Sequence, residues 1–207
     1  MRELSNEISV SAEELELFEY LLEEEGLGEV SPERVIPRRT ERDRAPLSFA
    51  QERLWFLDQL EARGAAYNMP GAVWLEGNLN SVALERSLNE IVRRHEILRT
   101  TFSAERGRPV QVIATSLSLS LSFIDLSHSS EGESEARRLA REEAEKPFDL
   151  ARGPLLRATL VRLSVESHLL LVTLHHIAAD GWSVTLLVQE LGALYAAYRS
   201  GEQPSLP

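Results

Sequence analysis

Leu84, Leu88, Ile91 and Val92 recur at helical spacing between Ser81 and Arg94, whereas Leu117, Leu119, Leu121 and Phe123 alternate with serines. The first spacing puts four apolar side chains on one helix face; the second is the period of a half-exposed strand whose serines face water. The chain switches repeatedly between these two periods. Ser48 and Gln51 form a capping-box pair that opens a helix containing Leu54, Trp55, Phe56 and Leu57, which fades after Leu60. Beyond Pro70 and Gly71 a short strand over 72–76 leads to the helix over 81–94, expected to pack on a sheet. Segments 98–102 and 110–114 predict a hairpin around Arg106, Gly107, Arg108 and Pro109. A charged helix over 134–146 stops at Pro147, strands follow over 155–163 and 168–174, and a last helix covers 183–199. Interleaved strands and helices predict an α/β or mixed α+β class with a mixed sheet.

Upstream, Ser11 and Glu14 make another capping box, and Leu15, Phe18, Leu21 and Leu22 fall on one face of a short helix ending by Gly26. Ten glutamates and one arginine between Met1 and Val30 give that stretch −9 of the net −11, leaving −2 on the other 177 residues. The acidity is therefore local. Residues 29–46 hold Pro32, Pro37, Pro46 and five arginines without apolar period, the composition of a linker or surface arm. This divides the chain into an acidic helix and linker over 1–45, a main body over 46–200 and a short tail over 201–207.

With 207 residues, 43% hydrophobic, the chain can bury one good core or two small ones. No apolar run is long enough to span a bilayer, and the N-terminus lacks the pattern of a signal peptide, which points to the cytoplasm. Cysteine is absent, which removes disulfides, thiolate nucleophiles and sulfur-bound zinc. The nearly neutral main body has no basic stripe with interleaved aromatics, which argues against nucleic acid, and no glycine signature for phosphate.

Chemistry concentrates in His175, His176, Asp180 and Gly181, where an apolar strand gives way to the last helix. Imidazole titrates near neutrality, so a histidine at a strand end can hold or move a proton. Successive strand side chains point to opposite faces, so His175 and His176 cannot share one cavity. One is expected to work on substrate while the other braces the turn.

Three strings, SFAQERLWFL at 48–57, RHEILRTTF at 94–102 and LHHIAADGWS at 174–183, resemble in order the first three motifs of the condensation domains of nonribosomal peptide synthetases. The resemblance covers most of the chain. It implies a chloramphenicol-acetyltransferase-like fold of two lobes, with the His-His motif near a tunnel that receives the 4'-phosphopantetheine arms of two carrier proteins. No cofactor is expected on the chain itself, since the substrates arrive on those arms. The implied reaction is attack of a carrier-bound aminoacyl amine on an upstream acyl thioester, and the motif wording resembles domains joining two L-configured residues. Within it, His176 is the candidate base or positioning group and His175 is expected to face away and satisfy the turn. Asp180 is expected in an architectural ion pair, for which the resemblance suggests Arg94, with Arg99 as the fallback. Gly181 is expected to permit a conformation or close approach denied to other residues, and its N–H to point toward the tunnel. Trp182 reads as wall and packing, and His95, His128 and His168 as surface or packing residues. The tail 203–207 resembles the connector between lobes, so the chain is expected to be the N-terminal lobe, inactive alone, with the C-terminal lobe, both carriers and an upstream synthetase subunit as partners.

Other classes compete with this reading. A metal site on His175, His176 and Asp180 is disfavoured because adjacent strand histidines diverge and no third histidine or carboxylate motif follows. A non-catalytic module would dock carrier proteins or use the acidic helix on a basic partner. An epimerisation domain shares the His-His motif, and coenzyme A-dependent acyltransferases share its His-x-x-x-Asp-Gly core.

Overall fold

The computed structural model describes residues 39, 41, 43–60, 64–105 and 107–206, nearly all within the unit Glu41–Pro207. The acidic helix expected over 11–25 lies outside the described residues. In chain order the elements are β1 (Arg44–Pro46), α1 (Phe49–Leu60), β2 (Asn68–Glu76), α2 (Ser81–Arg94), β3 (Thr100–Glu105) and β4 (Arg108–Ile113). There follow β5 (Ser122–Asp125), α3 (Gly132–Glu145), β6 (Leu156–Arg162), β7 (Ser167–His175) and α4 (Gly181–Ser200).

The larger sheet runs β2-β7-β6-β5. β6 pairs antiparallel with β7 and β7 with β2, while β5 lies parallel to β6 because α3 provides the crossover a parallel pair requires. β7 is buried along almost its whole length, and its period of two sorts side chains between two layers. Leu170, Val172 and Leu174 join Leu84, Leu88 and Ile91 of α2 and Leu187 and Leu194 of α4 in the main core. Leu169 and Leu171 pack with Val161 and with Ala136 of α3 on the opposite face. Helix–sheet–helix layering of this kind gives the mixed α/β class that the alternating periods predict.

The smaller sheet, β1-β4-β3, is antiparallel. Its Phe102 enters a second cluster with Leu47, Phe148, Leu150, Leu155 and Ile177, against which Leu54 and Trp55 of α1 pack. This cluster joins the first helix to the turn that follows β7. The outer side of α1 stays uncovered among the described residues, with Phe49 92% exposed.

Local chemistry sets the element ends. Ser48 and Gln51 form the expected capping box, each backbone N–H meeting the other's side-chain oxygen at 3.0–3.3 Å. The Asn80 side chain accepts from the Ala83 N–H at the start of α2. Gly201, in the left-handed region at φ 76°, closes α4 by donating to the carbonyls of Ala197 and Tyr198.

Three expectations are corrected. Residues 117–121 are not a strand: the Leu119 N–H and carbonyl bond the Asn89 side chain of α2, and the Leu121 N–H bonds Glu85. Their alternation survives because Leu119 is buried and Leu117 and Leu121 pack on the core, while Ser118 and Ser120 face out. β2 begins at Asn68, before Pro70, since an edge strand tolerates a residue without a donor. The end of the expected arm forms β1, where Arg44 pairs with Glu105 of β3.

Leu160 of β6 is fully buried in the main core. Leu160→Ala is expected to lower unfolding free energy by about 2–5 kcal/mol, measured by urea denaturation. A loss under about 1 kcal/mol would contradict the core placement.

Candidate functional site

β7 ends at the histidine pair, and the strand's alternation separates the two rings. His175 is 2% exposed. Its ring lies edge-on to Phe148 at 5.8 Å between centroids, and its Nδ1 accepts the Ile177 N–H at 3.1 Å. An acceptor nitrogen carries no proton, so neutral His175 is protonated at Nε2. Burial, with a smaller contribution from His176 alongside, pushes its pKa down to about 4.

His176 emerges on the opposite side and is exposed. Its N–H donates to the Tyr67 carbonyl at 2.9 Å, which fixes its backbone just past the strand pairing. Its Nδ1 lies 2.8 Å from the Ala179 carbonyl. A carbonyl oxygen only accepts, so Nδ1 is the donor and the neutral ring keeps its lone pair on Nε2. Adjacent imidazoles thus hold opposite tautomers, each set by one backbone group.

His176 lines an open cleft of about 470 Å³ with Gln51, Leu54, Asp180 and Ser183. Gln51 extends its side-chain amide toward the Ile177 carbonyl at 3.4 Å, linking the start of α1 to the histidine turn. An apolar groove of about 140 Å³, lined by His95, Ile97, Leu186 and Leu187, shares Ala178 and Ala179 with this cleft. A wider cleft, about 960 Å³, beside Trp74 and Arg137 has no imidazole among its described lining residues.

The Arg94–Asp180 pair expected from the sequence does not form. Asp180 caps α4 instead: its Oδ1 accepts the Ser183 N–H at 2.8 Å and the Ser183 hydroxyl at 2.7 Å. These bonds hold its carboxyl below the ordinary range. Arg94 donates through Nε to Glu190 of α4 at 3.1 Å, and the fallback Arg99 bonds the carbonyls of Ala114 and Arg93. A cap satisfies Asp180 locally, and Glu190 presents the buried carboxylate that needs a cation.

Other expectations shift as well. A Cβ on Gly181 would meet open space and the residue is not in the left-handed region, so neither crowding nor conformation requires glycine there. Trp182 lines the apolar groove, as expected of a wall, but is 84% exposed rather than packed. His95 has a constellation after all, its Nε2 lying 2.6 Å from Glu190 Oε2. His168 and His128 match their expectation as packing and surface residues: His168 is buried with Nδ1 unpartnered, its pKa lowered by burial, and His128 is exposed. Glu190 sits three residues after Leu187 and four before Leu194 on a buried helix face, a charge inside an apolar stripe that could have drawn notice.

The condensation-domain family model matches residues 41–207, and the chain belongs to that family. It is 49% identical over 163 residues to a linear gramicidin synthase from Brevibacillus parabrevis, covering 78% of this chain and 2% of that protein. It is 47% identical over 185 residues to the chondramide synthase of Chondromyces crocatus, covering 87% and 5%. The first condensation domain of the CDA synthetase superposes with a TM-score of 0.73 at 28% identity, over 80% of this chain and 43% of that one. The chain thus spans a few per cent of these curated relatives and under half of that solved chain. Its mixed α/β architecture is that of a condensation domain.

Two outcomes follow from this geometry. Unfolded, the His175 ring takes up a proton below its ordinary 6.5; folded, it resists until about 4. Between these values the unfolded chain holds the extra proton, so stability falls as pH drops, by about 1.4 kcal/mol per unit. His168 acts in the same direction. Urea midpoints at pH 7 and 5 are expected to differ less in His175→Phe than in wild type, and an equal difference would count against a buried neutral ring. Asp180→Ala is expected to lower the melting temperature, whereas Asp180→Asn keeps the cap and the wild-type value; equal losses in both would favour an ion pair.

Proposed function

We propose that this chain is the imidazole-bearing lobe of a nonribosomal peptide synthetase condensation domain, which joins a carrier-bound aminoacyl amine to an upstream carrier-bound acyl group. The supporting observation is the His176 ring: exposed on the cleft, tied at Nδ1 to the Ala179 carbonyl, with the Nε2 lone pair free of that bond. The amine nitrogen attacks the thioester carbon, the C–S bond breaks, and the upstream pantetheine leaves as its thiol. The nitrogen sheds a proton as the amide forms, and Nε2 accepts it or orients the amine by hydrogen bonding. His175 holds the turn from beneath without touching substrate. Asp180 and Ser183 fix the start of α4, and the open space above Gly181 leaves room for the incoming arm.

Both substrates arrive on 4'-phosphopantetheine arms, so the chain itself carries no cofactor in this scheme. The partners are the rest of the condensation domain, the upstream and downstream carriers and an upstream synthetase subunit, all in the cytoplasm. In this reading the lobe runs from β1 at Arg44 to about residue 200, and 201–207 begin the connector. The motif wording supports condensation between L-configured residues. Among the described residues no helix is long and apolar enough to cross a membrane.

In a complete domain supplied with both loaded carriers, His176→Ala is expected to slow single-turnover amide formation by about 10²-fold or more. An unchanged rate would remove the imidazole from the reaction. The 207-residue chain alone is expected to form little product and to recover activity when the remaining lobe is added; efficient condensation without that lobe would overturn the half-site assignment.

A further inference from the structure

Helices α2 and α4 pack through apolar side chains, among them Leu84, Leu88, Leu187 and Leu194. Hydrophobic contact is non-directional, so such a seam resists separation better than sliding or rotation. One charged group interrupts it. Glu190, 6% exposed, lies on the buried face of α4 between Leu187 and Leu194. Its Oε1 accepts from Arg94 Nε at 3.1 Å and its Oε2 from His95 Nε2 at 2.6 Å, where α2 ends. A carboxylate so buried is tolerable only when paired, and both bonds are directional. Among the described residues, further polar links between these helices lie toward the far end of α4, where the Tyr195 hydroxyl meets the Asn80 N–H and Arg86 stacks on Tyr198.

We infer that Glu190 is a positioning residue: by locking α4 in register against the end of α2, it sets where the Ala179–Asp180 turn presents the His176 imidazole. This rests on the assignment of His176 under Proposed function. A helix is stiff along its axis, so a shift at Glu190 carries ten residues back to the Asp180 cap. The Ala179 carbonyl that orients His176 immediately precedes that cap. His95 lines a groove that shares Ala178, Ala179 and Ser183 with the His176 cleft, so the clamp lies directly behind the turn.

Glu190→Met tests this, because it keeps length and apolar packing while deleting both acceptors. Nitrogen NMR of the full chain reads the His176 tautomer, and single-turnover assays in the complete domain read the rate. In Glu190→Met the His176 Nδ1–H form is expected to give way to a tautomer mixture. The condensation rate should fall about tenfold or more with carrier KM within about twofold. Glu190→Gln, which can still accept from Arg94 and donate to neutral His95, is expected to restore most of both. His95→Asn breaks the shorter bond from the other side and is expected to shift the tautomer likewise, which keeps the test open if the methionine variant does not fold. A wild-type His176 tautomer in His95→Asn, or in a folded Glu190→Met, overturns the inference even where melting temperature drops, since a purely structural pair would change stability alone. Should His176→Ala leave condensation intact, the functional assignment fails while the tautomer result still decides whether Glu190 governs the turn.

Discussion

β7 is hydrogen-bonded on both sides and buried on both faces, and the histidine turn inherits its geometry from that fact. Pairing with β2 and β6 leaves no freedom to slip, because a one-residue shift would exchange every side chain between the two layers. The last strand residue, His175, must then lie beneath the surface beside Phe148, and the next ring must emerge on the other side. From the Leu169–Leu174 core, the orientation of both imidazoles follows by parity.

Charge is placed along the same lines. The buried ring stays neutral because the interior penalises its cation, and the single deeply buried carboxylate of α4 meets a guanidinium and an imidazole. Asp180, at the surface, needs no cation and serves the helix end. Depth, more than sequence proximity, decides which acid takes which partner.

That rule also explains what the sequence could and could not convey. Periodicity locates α2 to the residue and β6, β7 and α4 to within a few, because apolar side chains dominate them, and Pro147 marks the end of the charged α3. The divergence of His175 and His176 is legible from strand alternation alone. Over 117–121 the same alternation misleads, because it reports which side chains are buried, and Asn89 rather than a neighbouring strand takes the backbone bonds. The partner of Arg94 is invisible for a related reason: Glu190 lies 96 residues away, and pairing across that distance depends on how two helices cross. Gly181 faces open space and Trp182 only borders the apolar groove, so packing among the described residues explains neither one.

The Nδ1 tie of His176 has a consequence for charge transfer at this rim. Imidazolium donates from both nitrogens, so gaining a proton at Nε2 strengthens the bond to Ala179 instead of breaking it. The ring can cycle between charge states without turning on its χ angles. The reorganisation that accompanies each proton is left to the surrounding water.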